Sequence, residues 1–192
     1  MEQKLNKLYE ECIIELNKIG INIIRPEVGK ITISISRRSK KRYGCCKQEN
    51  PDKNTRYYQK IGRKKYIKYA RYKKHNIEIS NWVMELEDEI IKNTIMHEII
   101  HCLPFCNNHG AEFKKNAKYI NEKLGYNISR VGNPKEDYKK SNIKYDETKK
   151  YKYKIICKDC NQKFYRQRLM KSLIQKYRCG KCGGKFIVEF IK

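Results

Sequence analysis

Glu85-Leu86-Glu87-Asp88-Glu89-Ile90-Ile91-Lys92-Asn93-Thr94-Ile95-Met96-His97-Glu98-Ile99-Ile100-His101-Cys102-Leu103 is the stretch whose reading decides the fold. Ile90, Ile91, Thr94, Ile95, Ile99 and Leu103 cover much of a helical circumference, the pattern of a helix buried on nearly all sides. Pro104 cannot continue it, so a central helix is expected from about Glu85 to Leu103. His97 and His101 lie four residues apart on one face, with Cβ atoms about 5–6 Å apart, and both imidazoles can reach one Zn²⁺. Glu98, one position along, can meet a water on such a metal rather than the metal itself, which is where a general base belongs. If the chain's four His and sixteen Glu were scattered at random, His-Glu-x-x-His would arise in roughly one such sequence in two hundred. The bland alternative is a packed pair of histidines beside a surface Glu, and the buried character of the helix speaks against it.

A catalytic zinc keeps three protein ligands and one open position. His109 is the expected third ligand, because a short loop after the helix stop lets the chain return to the metal. Glu112 and Cys106 are the alternatives. Cys102 and Cys106 otherwise read as small buried hydrophobes. Asn108 is expected to cap a further helix that packs Phe113, Ala117, Ile120 and Leu124 on one face and stops at Gly125.

Upstream, Leu5, Leu8, Cys12, Leu16 and Ile19 mark an amphipathic helix ending near Gly20. Ile31–Ser36 and His75–Ser80 alternate strictly, as half-buried strands do, and the Tyr-rich run Tyr57–Tyr72 has room for one or two more. A helix, a few strands and two helices make an α+β domain. It is expected over residues 1–133, followed by a Lys-rich linker over 134–152 and a small separate unit over 153–192.

Of the 192 residues, 39% are hydrophobic and 34% charged, enough for one compact domain plus an appendage. No stretch approaches the roughly 20 apolar residues of a membrane span, and Met1-Glu2-Gln3-Lys4-Leu5 is too polar for a secretory signal. Nine cysteines without an export signal point to a reducing, cytoplasmic setting where they bind metal more often than they pair. The net charge of +24 makes a polyanion the first partner to consider, and a nucleoid-associated location fits it. That charge is uneven: residues 37–74 carry +14, 135–171 carry +8 and 172–192 carry +4, whereas 75–134 carry −2.

Cys157-Lys158-Asp159-Cys160 and Cys179-Gly180-Lys181-Cys182 enclose eighteen residues, the arithmetic of a zinc ribbon. Four thiolates leave no open position, so this second zinc would be structural, and strand-like runs at Tyr153–Ile156, Lys163–Tyr165 and Lys185–Phe190 suit a β ribbon. So short a segment buries little apolar surface, and metal binding would supply much of its folding energy. Two disulfides are the alternative, disfavoured by the compartment. In the basic stretch, Tyr43, Tyr57, Tyr58, Tyr66, Tyr69 and Tyr72 are interleaved with sixteen Lys and Arg. Cations for phosphates beside aromatic faces for unstacked bases suit nonspecific nucleic-acid contact, with Arg63, Lys64, Lys65, Tyr66, Lys68, Tyr69 and Arg71 as the candidates. The alternative is a solvated Lys-rich surface. Cys12, Cys45 and Cys46 carry no role beyond packing.

The block Asn93–His101, followed by Asn108-His109-Gly110-Ala111-Glu112-Phe113, resembles the SprT-like family of zinc metallopeptidases, to which the DNA–protein-crosslink protease Spartan belongs. Arg42-Tyr43-Gly44-Cys45 and Ile77–Ser80 look like the family's Gly-x-Cys element and its following strand. Asn108 stands where the family has Gly before the third His. The resemblance covers about residues 5–130. It implies a zincin-like α+β fold, one catalytic zinc on His97, His101 and His109, Glu98 as general base, and peptide bonds as the substrate. Many family members also resemble this chain in carrying a C-terminal zinc ribbon. The expected protein is therefore a monomeric zinc peptidase acting on a protein substrate, in some cases one bound to DNA. A nucleic-acid-binding zinc protein without protease activity, or another zinc amide hydrolase, stands as the alternative.

Overall fold

The computed structural model describes residues 1–24, 26–146 and 151–191, and the chain forms two compact units, Met1–Lys144 and Tyr145–Lys192. The first opens with helix α1 (Glu2–Lys18), which buries Leu5, Leu8, Cys12 and Leu16 on one face. Its three-stranded sheet has the order β1-β5-β2, formed by β1 (Lys30–Ser36), β2 (Gly44–Pro51) and β5 (Tyr72–Ser80). β1 lies parallel and β2 antiparallel to the central strand. Alternation in β5 sends His75, Ile77 and Ile79 into the core, each at most 1% exposed, as period-2 patterning requires. β2 was not evident from pattern. Its sequence Gly-Cys-Cys-Lys-Gln-Glu-Asn-Pro lacks β-branched residues, and it becomes a strand by pairing with β5 at the sheet edge, where Pro51 is tolerated.

The Tyr-rich run forms a separate hairpin of β3 (Arg56–Ile61) and β4 (Lys64–Tyr69). Asp52, 6% exposed, clamps its base: its backbone N–H bonds the Arg71 carbonyl at 3.0 Å, and its carboxylate accepts from Arg71 Nε at 2.9 Å.

After a 3-10 turn (Asn81–Glu85) comes α2 (Asp88–Ile100), with Asp88 and Glu89 beside its N-terminus, where acidic residues suit the helix dipole. Ile91, Ile95, Met96, Ile99 and Ile100 are at most 1% exposed, so truncating one, as in Ile95→Ala, would cost about 2–5 kcal/mol. The helix is shorter than the sequence suggested at both ends. It closes at Ile100 rather than Leu103, because Cys102 and Leu103 donate to Ile99 and Ile100 in tight three-residue turns before Pro104 is reached.

Helix α3 (Ala111–Leu124) buries Phe113, Ala117 and Ile120 and ends at Gly125. Its N-cap is Gly110, not Asn108: the Asn108 carboxamide instead accepts the Gly110 N–H at 2.8 Å inside the loop. The expected linker also changes character. Pro134–Lys140 forms helix α4, whose buried Tyr138 stacks on Trp82 with ring centroids 5.8 Å apart. Residues 134–144 thus belong to the first unit, tied to it by Tyr138, by the Tyr43 hydroxyl donating to Asp137 and by the Glu87 N–H donating to Ser141 Oγ at 3.0 Å, and 147–150 of that linker lie outside the described residues.

The second unit is a three-stranded antiparallel sheet, order β7-β6-β8, from β6 (Tyr153–Cys157), β7 (Lys163–Arg166) and β8 (Phe186–Phe190). A short helix α5 (Lys171–Lys176), not expected from the sequence, precedes its second cysteine pair.

Candidate metal centre

α2 carries His97 and His101 one turn apart, with ring centroids separated by 5.0 Å. The chain then reverses through Phe105, a non-glycine residue at φ 61°, and delivers His109 from the loop before α3. His109 Nε2 lies 3.0 Å from His97 Nε2 and 3.3 Å from His101 Nε2. Phe113, in the first turn of α3 and 2% exposed, packs against all three rings at centroid distances of 4.9, 4.7 and 4.8 Å.

The opposite ring nitrogens decide the tautomers. His97 Nδ1 is 3.0 Å from the Ser129 carbonyl, and His101 Nδ1 is 2.7 Å from the Cys106 carbonyl. A carbonyl can only accept, so each Nδ1 carries the proton and each Nε2 presents a lone pair. Burial lowers the pKa of all three rings, that of His97 to about 4 with His101 and His109 adding to the effect, so the neutral ligand form dominates at neutral pH. A proton on His109 Nε2 could satisfy only one of the two lone pairs facing it. A cation satisfies all three, and the spacings approach the ~3.3 Å edge of a tetrahedron with Zn–N near 2.05 Å. The donor set therefore fits zinc.

Glu98 sits on the same helix, 5% exposed. Burial pushes its carboxyl up to about 8, with the Cys46 backbone N–H and Arg42 pulling the other way. The carboxylate lies against Gly44 at the start of β2. A Cβ on Gly44 would stand 2.9 Å from both Cγ and Oε1 of Glu98, closer than a real Cβ is found, and 3.1 Å from the Glu78 carbonyl. The glycine is thus required by close approach. The two other candidates for third ligand take different roles: Glu112 is exposed, while Cys106 gives its carbonyl to His101 and receives Asn116 Nδ2 at its sulfur, 3.5 Å away.

A supporting layer around the centre carried no signal in the sequence. The Asn121 side chain bonds both the N–H and the carbonyl of Ile128, at 2.8 and 3.1 Å, and the Asn93 carboxamide accepts the Asn127 N–H at 2.8 Å. These bonds hold the segment that brings the Ser129 carbonyl to His97.

In the second unit Cys157, Cys160, Cys179 and Cys182 gather with all four sulfurs within 4.8 Å of one another. Cys157–Cys182 and Cys160–Cys179 are separated by 3.4 and 3.6 Å, near the ~3.75 Å edge of a tetrahedral zinc–thiolate site. Each knuckle turns through a left-handed residue just after its second cysteine, Asn161 at φ 54° and Gly183 at φ 75°. Gly184 is packed so closely that a Cβ there would meet the Asp159 carboxylate and stand 2.8 Å from Cys157 Sγ. The N–H groups of Lys181 and Cys182 pull the Cys179 thiol down to about 7, toward the ligating thiolate.

The candidate nucleic-acid residues are distributed over both faces of the hairpin. Register places Tyr57, Lys68, Tyr66 and Lys64 on one face and Tyr69, Tyr58 and Lys65 on the other, with Arg63 in the turn. Lys65 Nζ lies 4.0 Å over the Tyr58 ring. Arg71 is tied to Asp52 and stands apart from the exposed tip. No helix among the described residues is long and apolar enough to cross a membrane.

The profile of the SprT-like family matches residues 9–132, which include β2, the whole of α2 and His109. Over 114 residues the chain is 32% identical to the protein SprT-like of Lactococcus lactis subsp. lactis, a match spanning 59% of this chain and 67% of that protein.

Proposed function

Because the chain belongs to the SprT-like family, we propose that it is a zinc-dependent metallopeptidase that hydrolyses peptide bonds, and that its substrates are proteins associated with DNA. One observation carries the reading: three imidazole nitrogens converge, and the helix that carries two of them also bears the buried carboxyl of Glu98. Zinc held by His97, His101 and His109 would supply a Lewis acid that polarises the scissile carbonyl and acidifies a water. The chain's own residues do the rest. The Ser129 and Cys106 carbonyls hold two rings with Nε2 inward, and Phe113 limits their tilt. Glu98 takes a proton from the attacking water onto its carboxylate and returns it to the nitrogen of the departing amine. Burial raises this carboxyl, and zinc held by the three histidines would favour its ionised form, which would suit it to moving a proton near neutral pH.

The proposed partner is nucleic acid, bound without sequence preference at the exposed end of the β3–β4 hairpin, where Arg63, Lys64, Lys65 and Tyr66 are all solvent-facing. Charge of this kind would raise the local concentration of protein substrates lying on DNA. The test is cleavage of a protein substrate by wild type and Glu98→Gln, with and without single-stranded DNA, over a salt series. Glu98→Gln should lose at least about a hundredfold in rate while keeping its zinc, and DNA stimulation of the wild type should fade steeply with salt. Undiminished cleavage by Glu98→Gln would remove the peptidase mechanism. A DNA effect indifferent to salt would remove the phosphate contacts.

A further inference from the structure

Beyond the two sites already described, the first unit holds another cluster of metal-ligating side chains, drawn from three separate elements. Cys46 lies on β2, His75 on β5, and Cys102 in the turn that closes α2. Cys46 is paired with Ile77, so His75, two residues from Ile77, is its diagonal neighbour on the same face of the sheet, the face buried against α2. Their donor atoms all lie within 4.8 Å of one another. Cys46 Sγ is 3.6 Å from Cys102 Sγ and 3.7 Å from His75 Nδ1. A tetrahedral ion with Zn–S of about 2.3 Å and Zn–N of about 2.05 Å has S···S edges near 3.75 Å and S···N edges near 3.6 Å. The cluster thus has the dimensions of a coordination shell.

Burial adds a second argument. His75 is 1% exposed, and its other nitrogen, Nε2, has no hydrogen-bond partner among the described residues, so sulfur is the only partner there that its ring nitrogens meet. Burying an imidazole so poorly satisfied costs a few kcal/mol on the scale of an unmade hydrogen bond, and thiols are weak compensation. A coordinate bond at Nδ1 would replace this weak thiol contact with a strong one and leave the proton on Nε2.

We infer that Cys46, His75 and Cys102 form a further metal site that takes a thiophilic d¹⁰ ion of the zinc class. Two thiolates and one imidazole select such an ion over magnesium or calcium, which require oxygen donors. Its ligands join both antiparallel strands to the residue following His101, so the ion pins the sheet to the C-terminal end of the helix that carries the catalytic centre. The site does not depend on the peptidase reading.

The test is a metal count on the full chain, purified under reductant, loaded with Zn²⁺ and cleared of loosely held ion. Wild type should retain three zinc ions per chain, and Cys46→Ala and Cys102→Ala should each retain two. In the Co²⁺-loaded chain, the thiolate-to-cobalt absorption should fall by about a third in the Cys46→Ala/Cys102→Ala double variant, since two of six thiolates are lost. Both cobalt and zinc readings apply whether or not any variant has activity. A wild-type count of two, or a count of three unchanged in a folded Cys46→Ala, would overturn the site. So would an intact mass showing Cys46 joined to Cys102 under reductant. Should Cys102→Ala fail to fold, the wild-type count and Cys46→Ala decide the matter.

Discussion

The histidine centre of the first unit and the cysteine cluster of the second solve the same problem, the convergence of donor atoms, by opposite means. His97 and His101 ride on a helix whose apolar residues are already buried, and His109 is held by a loop that the core anchors. The four cysteines sit on two knuckles in a unit whose buried apolar residues, among those described, are few: Ile155, Ile156, Cys157 and Cys179. In the first unit packing comes first and the site is built onto it. In the second the ligands themselves form part of the small core. A metal at the histidine centre would be added to a core already packed, whereas one at the four cysteines would be a component of the core itself.

The largest effect should follow from removing metal altogether. A strong chelator, or Cys157→Ala, should unfold the second unit, since a structural zinc of this type contributes on the order of 10 kcal/mol to folding. In Cys157→Ala the first unit should keep its amide-exchange protection in α1, α2 and β5. Simultaneous loss of protection in both units would break the contrast. Of intermediate size is Gly44→Ala, which drives a methyl into Glu98. Cleavage should fall by about ten- to a hundredfold with zinc content unchanged, because the carboxylate moves while the imidazoles stay. A variant that loses zinc in parallel with activity would show that Gly44 supports the ligands instead. The smallest effect belongs to Asn121→Ala, which releases the segment presenting the Ser129 carbonyl to His97. Zinc affinity of the histidine centre should weaken by about tenfold, the lower end for partners of a metal ligand, and the cysteine cluster should be unaffected. Competition with a chromophoric chelator measures both sites in one titration.

Legibility in the sequence followed the range of the interactions. The four-residue spacing of His97 and His101 is a property of any helix, and the alternation of Ile31–Ser36 and His75–Ser80 is a property of any strand, so both could be read locally. The two Cys-x-x-Cys pairs are legible for the same reason, since each knuckle closes on itself. β2 was not, because its edge position rewards polar residues and only pairing with β5 makes it a strand. Helix α4 was hidden behind lysines, with Tyr138 as its single buried anchor. The tyrosines and lysines of 57–69 read as one mixed patch, yet strand pairing divides them between two faces.

Sequence alone determined the chemistry available to this protein: which donors exist, which pairs share a face, and which segments carry the excess charge. Tertiary structure decided what those donors do. It brought His109 across a reversed loop to the helix, set Gly44 against Glu98, and placed Cys46 beside His75 and Cys102. Local spacing is written in covalent geometry and hydrogen-bond period, whereas contacts between distant segments depend on how side-chain volumes fill one shared core.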